Sequence, residues 1–197
     1  GAATAHVSDS DSTVVTIAAP DSAASEAGQN TGTFTISVSP TPTSALTVNF
    51  TRGGSADYSA DYSAPSPTSV TIPANSTSAT LTITPVDDDT YESGGETVTY
   101  TLSSGSGYNL GSPSSATVNI ADNDTAPTIS IGDWTGWESQ NASFAVSLNR
   151  ASSQPITVNY ASQNGTATGG SDYTGVAGGL TFEAGDLIKY VEVTIAH

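Results

Sequence analysis

Cysteine and methionine are absent from this chain of 197 residues, and basic residues are almost absent. Without cysteine there can be no disulfides, no zinc–thiolate sites and no cysteine nucleophile. The basic residues are Arg52, Arg150 and Lys189, against 19 acidic residues, which gives a formal net charge of −16. This balance excludes nucleic acid and disfavours anionic membranes, because phosphate groups are bound by lysine and arginine. Cations are the natural partners of such a chain.

Long hydrophobic runs are also missing, yet the composition is that of a folded β protein. No apolar run reaches the ~20 residues of a membrane-spanning helix. Hydrophobic residues make up 36% and charged residues only 11% of the chain, and serine, threonine, asparagine and glycine supply most of the rest. This mixture fits threonine- and serine-coated β-sandwich surfaces. It is typical of secreted and bacterial surface proteins, so we expect an extracellular or cell-surface location, with any targeting signal outside this chain.

An internal repeat of about 110 residues organises the sequence. The segment Gly32–Ser39 (GTFTISVS) matches Ala142–Asn149 (ASFAVSLN). Likewise, Ala3–Asp11 (ATAHVSDSD) matches Ala116–Asp124 (ATVNIADND). The repeat therefore recurs along the chain at a nearly constant offset.

This repeat predicts three parts of the chain. Residues 1–11 are expected to be the last strand of a preceding repeat, or a strand donated to a neighbour. Residues 12–124 form one complete repeat. Residues 125–197 form a second repeat that stops before its acidic loop and last strands. We therefore expect either a fragment of a longer tandem array or a protomer that borrows strands.

Within the complete repeat, period-2 alternation and turn residues predict seven strands. No stretch has a sustained helical period, and seven short strands in one repeat favour an immunoglobulin-like sandwich. Phe34, Ile36 and Val38 should face one way, as should Val98, Tyr100 and Leu102. The predicted strands are Thr13–Ile17, Gly32–Ser39, Leu46–Arg52, Ser69–Ile72, Ala79–Thr84, Thr97–Ser103 and Ala116–Ala121.

The segment Asp87–Glu96 (DDDTYESGGE) carries five of the acidic residues between two predicted strands. No lysine or arginine is near it in sequence, so the carboxylates repel one another. Such a run is often no more than a solvated, solubilising turn. Carboxylate oxygens at short, irregular spacing also suit Ca²⁺, which takes about 6–8 oxygen ligands in flexible geometry.

The position of the other acids favours the calcium interpretation. If consecutive strands alternate in direction, the loops after the first, third and fifth strands lie at one end, together with the exit from the seventh. Those loops hold Glu26, Asp57, Asp61, the acidic segment, Asp122 and Asp124. The loops at the opposite end (TPTSA, PANST and GSGYNLGSPSS) contain no acid. This partition predicts a cation cluster at one end of the sandwich.

The motifs SADYSADY, DDDTYESGGE and ATVNIADND resemble the Calx-beta domain, which is found in sodium–calcium exchangers, integrin β4 and many bacterial surface proteins. The second repeat carries the same pattern in NGTATGGSDYTGVAGGLTFEAGDLIKYVEVTI. The resemblance implies an all-β fold of tandem immunoglobulin-like antiparallel β-sandwiches. It also implies a Ca²⁺ cluster at the end of the sandwich where the chain exits.

The resemblance also implies which residues hold the ions. The second repeat keeps a partial set, Glu138 and Asp172, while Asp9 and Asp11 would be exit ligands of a preceding domain. In the complete repeat the implied ligands are Glu26, Asp61, Asp87, Asp88, Glu92, Glu96, Asp122 and Asp124, with a backbone carbonyl near Thr90.

These features predict a calcium-binding segment of a large extracellular or surface protein, serving adhesion or acting as a calcium-stiffened spacer. An alternative is a structural subunit in which a strand such as Ala2–Ser8 pairs with the incomplete second repeat of an identical chain. A weaker alternative is a carbohydrate-binding module that uses Trp134 and Trp137, although these residues more often pack. We expect no enzyme, because no residues are arranged for nucleophilic or paired-carboxylate catalysis.

Overall fold

The computed structural model describes residues 12–66, 68–138 and 140–196 of the chain. The predicted N-terminal strand, Asp9, Asp11 and His197 lie outside this part. The described chain forms two compact units. The first contains the residues up to Asp87 together with Gly95–Ala121, and the second contains Asp88–Gly94 together with the residues from Asp122 onward. This division by contacts differs from the predicted division by repeats, and the repeat boundary at residue 124 stays a prediction.

Among its described residues, the first unit consists of ten strands and one 3₁₀ turn. The turn spans Ala27–Gln29. The strands are β1 (Val14–Asp21), β2 (Ala23–Ser25), β3 (Gly32–Ser39), β4 (Leu46–Gly54), β5 (Tyr62–Ser63), β6 (Ser69–Ile72), β7 (Ser78–Pro85), β8 (Glu96–Leu102), β9 (Asn109–Leu110) and β10 (Ser115–Ala121).

These strands form two five-stranded sheets, in the orders β5–β7–β3–β1–β9 and β2–β10–β8–β4–β6. The pairs between the long strands are antiparallel. The pairs β1–β9 and β2–β10 are parallel, because the chain changes sheet between β1 and β2 after a register shift between Ala18 and Asp21. The predicted all-β class with an antiparallel sandwich is confirmed.

All seven predicted strands are present, and Gly32–Ser39 and Ser69–Ile72 have the predicted bounds. Three strands were not predicted: β2, β5 and β9. Each has only two or three residues, which is too short for a period-2 pattern. They exist because the longer strands beside them offer free backbone groups.

The core of the first unit is a stack of three aromatic rings between the sheets. The ring of Tyr100 lies 4.6 Å from that of Phe34 and 4.7 Å from that of Phe50, with interplanar angles of 11° and 15°. All three are buried, as are Ile36, Val38, Val98 and Leu102. The predicted inward faces of β3 and β8 are therefore confirmed. Burial raises the pKa of Tyr100 to about 12.

The second unit is an antiparallel β structure with a smaller core, formed around Val146, Leu148, Phe182 and Val191. One sheet has the order β11–β12–β15, and β13 pairs with β14. No helix in the described parts of either unit is long and apolar enough to cross a membrane. The strands are β11 (Ile129–Ile131), β12 (Ala142–Leu148), β13 (Ile156–Ala161), β14 (Ala177–Phe182) and β15 (Ile188–Val193).

Candidate metal centre

The predicted ligands fall into two carboxylate groups, one in each unit. We call the first the Glu96 group; its members are the predicted ligands Glu26, Asp61 and Glu96, together with Asp57, which was not a predicted ligand. We call the second the Asp122 group; its members are Glu92, Asp122 and Asp124. Asp88 lies at the start of the segment that carries Glu92. Asp87 is exposed after β7.

Loops at strand ends position two members of the Glu96 group. Glu26 follows β2, is only 3% exposed, and its backbone N–H donates to the carbonyl of Ala121 at 3.1 Å. Asp61 closes a tight turn before β5. Its carboxylate accepts a hydrogen bond from the N–H of Asp57 at 2.5 Å, and its own N–H donates to the carbonyl of Asp57 at 2.9 Å. The turn therefore fixes the direction of this carboxylate.

Glu96 is the first residue of β8, and its environment penalises negative charge. Burial, a side-chain hydrogen bond to Asp61 and repulsion from Asp61, Asp57 and Glu26 together raise the pKa of Glu96 to about 7. A hydrogen bond between two carboxyl groups requires that they share a proton. Atom Oε2 of Glu96 is also buried without a hydrogen-bond donor. The negative charge of ionised Glu96 is therefore poorly stabilised by its surroundings.

The Asp122 group is built from two chain segments and ordered by backbone donors. Asp122 directly follows β10, and its Oδ2 accepts from the N–H of Glu92 at 2.9 Å, while its Oδ1 accepts from the N–H of Asp124 at 2.7 Å. Carboxylate oxygens of Glu92 and Asp122 lie within 4.8 Å of each other, and Glu92 is only 5% exposed. These two acids can contact one ion.

The segment Asp88–Gly94, which carries Glu92, is held in two ways. Oδ1 of the exposed Asp88 accepts from the N–H of Thr90 at 2.6 Å, which closes the start of the segment. The N–H of Tyr91 donates to the carbonyl of Ala151 at 3.1 Å, and the N–H of Ser153 donates to the carbonyl of Tyr91 at 3.1 Å. This short pairing was not predicted, because it joins residues far apart in the sequence.

Asp124 forms an ion pair with Arg150. Its side chain is 9% exposed and that of Arg150 is 25% exposed. Sequence reasoning assigned no role to Arg150. The only sequence signal is the rarity of basic residues, which makes any arginine beside an acid conspicuous.

The second repeat rebuilds the turn that holds Asp61. Oδ2 of Asp172 accepts from the N–H of Thr168 at 2.7 Å, and the N–H of Asp172 donates to the carbonyl of Thr168 at 2.9 Å. The turn of the first repeat has a positive φ of 75° at Ser59, and Gly170 has a φ of 87° in the second. The match between SADY and GSDY thus extends to hydrogen bonding and backbone conformation.

Glu138 and Asp172 lie at the lining of one open, largely apolar cavity of about 570 Å³ in the second unit. Trp134, Trp137 and Phe144 also line it, and Trp137 is 77% exposed. The structure shows no cluster of three or more acids at this place among the residues described. A partial site at Glu138 and Asp172 therefore stays a prediction.

Comparison with known proteins gives a family and several similar structures. The sequence-family model of the Calx-beta domain matches residues 8–124 and 136–197 of this chain. A search of curated protein sequences gave no match.

Three similar solved structures all come from the Calx protein. The structure of CBD12 from CALX1.2 is 21% identical, with a TM-score of 0.47, covering 93% of this chain and 75% of that one. The calcium binding domain CBD12 of CALX1.1 is 21% identical, with a TM-score of 0.46, covering 92% and 76%. The apo-form Calx CBD1 domain is 18% identical, with a TM-score of 0.47, covering 58% and 100%.

The two segments matched by the family model contain both carboxylate groups and nearly all of the strands. On this match, the chain belongs to the Calx-beta domain family.

Proposed function

We propose that this chain binds Ca²⁺ through the Glu96 group and the Asp122 group, as a segment of an extracellular or cell-surface protein that serves adhesion or as a spacer. The observation that carries the proposal is the buried Oε2 of Glu96, which has no hydrogen-bond donor. Burial, a hydrogen bond to Asp61 and repulsion from Asp61, Asp57 and Glu26 also raise the pKa of Glu96 to about 7. A carboxylate held in that environment gains from any nearby cation. Membership of the Calx-beta family agrees with this chemistry.

The donor atoms fit a hard divalent cation. They are carboxylate oxygens, with no sulfur or imidazole in either group. Oxygen-only sites at irregular spacing are those of Ca²⁺, whereas Mg²⁺ demands near-octahedral geometry and keeps several waters. Two buried carboxylate oxygens have no hydrogen-bond donor, namely Oε2 of Glu96 and Oδ2 of Asp124. A cation would satisfy such acceptors.

Each residue would act by binding or by holding a neighbour in place. Glu96, Asp61 and Glu26 would supply oxygens in the first unit, while the turn at Asp57 holds Asp61 in its orientation. In the second unit, Glu92 and Asp122 would bind, and the N–H of Glu92 keeps the carboxylate of Asp122 in position.

A bound ion would neutralise the mutual repulsion of the acids and order the segments that carry them. One such segment is the stretch from Asp122 to Pro127, which joins β10 to β11. Proline restricts this stretch further. We therefore propose that calcium stiffens the tandem array, and that the array acts as a spacer whose flexibility depends on calcium.

Thermal unfolding combined with calorimetric titration tests calcium binding. Ca²⁺ should raise the melting temperature of the chelator-treated protein, because an ion that binds only the folded state stabilises it by mass action. Mg²⁺ should do so much less. The double variants Asp61→Asn with Glu96→Gln, and Glu92→Gln with Asp122→Asn, should each lose part of the bound calcium.

The matched control is Glu183→Gln with Asp186→Asn, which removes the same charge from the turn before β15. It should bind calcium like the parent protein. An equal rise with Mg²⁺, an equal loss in the control variant, or no rise with Ca²⁺ would mean that the acids are merely solvated.

A second candidate function is assembly by strand addition, and the edge of β13 favours it. In the first unit, β4 pairs on both sides, with β6 and β8. Its counterpart β13 pairs only with β14 among the described strands. The predicted donor is the strand Ala2–Ser8 of an identical chain, which lies outside the described residues. An added strand would satisfy the free backbone groups of β13.

Sedimentation velocity over a range of protein concentrations tests strand addition. The chain should form head-to-tail assemblies, and a variant without residues 1–11 should be monomeric with an unchanged melting temperature. Assemblies that persist after the deletion, or a full chain that stays monomeric at every concentration, would contradict this candidate.

A further inference from the structure

Arg150 contacts a predicted ligand in the Asp122 group. Its Nη1 contacts Oδ1 of Asp124, an acid predicted to bind calcium. The other ion pair among the described residues, between Lys189 and Asp186, lies in the turn before β15 and involves no predicted ligand. Arg150 thus neutralises a predicted ligand, whereas Lys189 does not.

The contact between Arg150 and Asp124 leaves polar atoms unsatisfied on both sides. Nε of Arg150 and Oδ2 of Asp124 are buried and have no hydrogen-bond partner. An arginine that paired through two parallel hydrogen bonds would satisfy both oxygens of the carboxylate. The observed pair uses one contact and still removes most of the carboxylate of Asp124 from water, which costs free energy. A cation that reached both oxygens of Asp124 would satisfy this carboxylate better.

The chain also keeps Arg150 near the other members of the group. The N–H of Asp124 donates to Oδ1 of Asp122, so these two carboxylates are linked. Arg150 directly precedes Ala151, whose carbonyl accepts from Tyr91 in the segment that carries Glu92. The backbone therefore fixes the origin of the arginine side chain beside both acidic segments.

We propose that Arg150 is a built-in counter-ion that occupies the cation position at Asp124 when calcium is absent and competes with calcium for that carboxylate. The inference rests on the proposed function, because it assumes that the Asp122 group binds a divalent cation. It assigns Arg150 a second role, which is to set how tightly that group binds. In the calcium-free protein the same residue stabilises the fold by neutralising a buried acid.

The variant Arg150→Gln tests this role in two measurements. The background is Asp61→Asn with Glu96→Gln, so that the remaining calcium binding belongs to the Asp122 group. Calorimetric titration should show calcium bound roughly fivefold more tightly in Arg150→Gln, which is the upper range for one partly exposed charge pair. Without calcium, the same variant should melt at a lower temperature, because Asp124 is left buried without its partner.

The control is Lys189→Gln, which removes one positive charge and one ion pair away from the group. Lys189→Gln should leave the calcium affinity unchanged. It should also leave unchanged the gain in calcium affinity that Arg150→Gln causes. If Arg150→Gln does not fold without calcium, Arg150→Lys keeps the charge on a thinner side chain and should give a smaller change in the same direction. Equal or weaker binding in the arginine variants, while the background protein binds calcium, would overturn the role of Arg150 alone. A background protein that binds no calcium would overturn it together with the proposed function of this group.

Discussion

Calcium is expected to bind the Glu96 group about tenfold more weakly at pH 6 than at pH 8. The reason is competition for the same carboxylates between the ion and a proton. Glu96 has a pKa of about 7, raised first by burial, then by its hydrogen bond to Asp61 and by repulsion from the surrounding acids. With that pKa, roughly nine molecules in ten carry the proton at pH 6 and about one in ten at pH 8. At pH 6 calcium must displace the proton from Glu96, whereas at pH 8 it meets an ionised carboxylate.

The same pKa predicts how the calcium-free protein responds to pH. Because the folded-state pKa of Glu96 is raised above its ordinary value of 4.5, the folded state binds the proton more tightly than the unfolded chain does. The proton on Glu96 therefore stabilises the folded state fully below pH 4.5, and this stabilisation is lost as the pH rises through about 7. Melting temperatures of calcium-free protein should accordingly fall between pH 5 and pH 8.

Glu96→Gln provides the control for both measurements. It keeps the size of the side chain and removes the titrating group, so its calcium-free stability should depend less on pH than that of the parent protein. Calorimetric titration in buffers of different ionisation enthalpy should show protons released by calcium near pH 7 in the parent and not in the variant. The same calcium affinity at pH 6 and pH 8, or an equal pH dependence in Glu96→Gln, would contradict the shared-proton interpretation.

The strands of the first repeat could be predicted because each long strand has one buried face. Phe34, Ile36 and Val38 alternate with threonine and serine, and this pattern alone gives the bounds of β3. The short strands β2, β5 and β9 contain too few residues for alternation, and tertiary pairing decides where they lie. Local sequence therefore determines the long strands, and the neighbouring sheet determines the short ones.

The sequence allowed candidate ligands to be chosen, but it did not allow their arrangement to be predicted. The acids were found because they occupy alternate loops, which topology brings to one end of a sandwich. The raised pKa of Glu96 depends on burial that no spacing encodes. The pairing of Arg150 with Asp124 joins two different loops, so neither residue has a local signal of the other. Whether each acid binds an ion stays a prediction.

The substitution Gly95→Ala is expected to lower the free energy of unfolding by about 3 kcal/mol, which combines left-handed backbone strain with a steric clash. Gly95 has a φ of 72°. This value lies in the left-handed region of backbone conformation, which favours glycine. A Cβ atom there would lie 2.4 Å from the carbonyl oxygen of Ile120, on the strand that pairs with β8. Backbone cannot move aside as a flexible side chain can, so β8 and β10 would have to separate at their ends.

Gly94→Ala is the matched control, because Gly94 has a φ of 91° and no atom within 4 Å of the added Cβ. It carries the strain without the clash and should cost about 1 kcal/mol. Urea unfolding of calcium-free protein gives both values. Gly95→Ala should also weaken calcium binding, since Glu96 is the next residue and pairs with Ile120 across the sheet. Equal costs for the two variants would contradict the clash at Ile120, because the added Cβ of Gly95→Ala would then cost no more than the backbone strain alone.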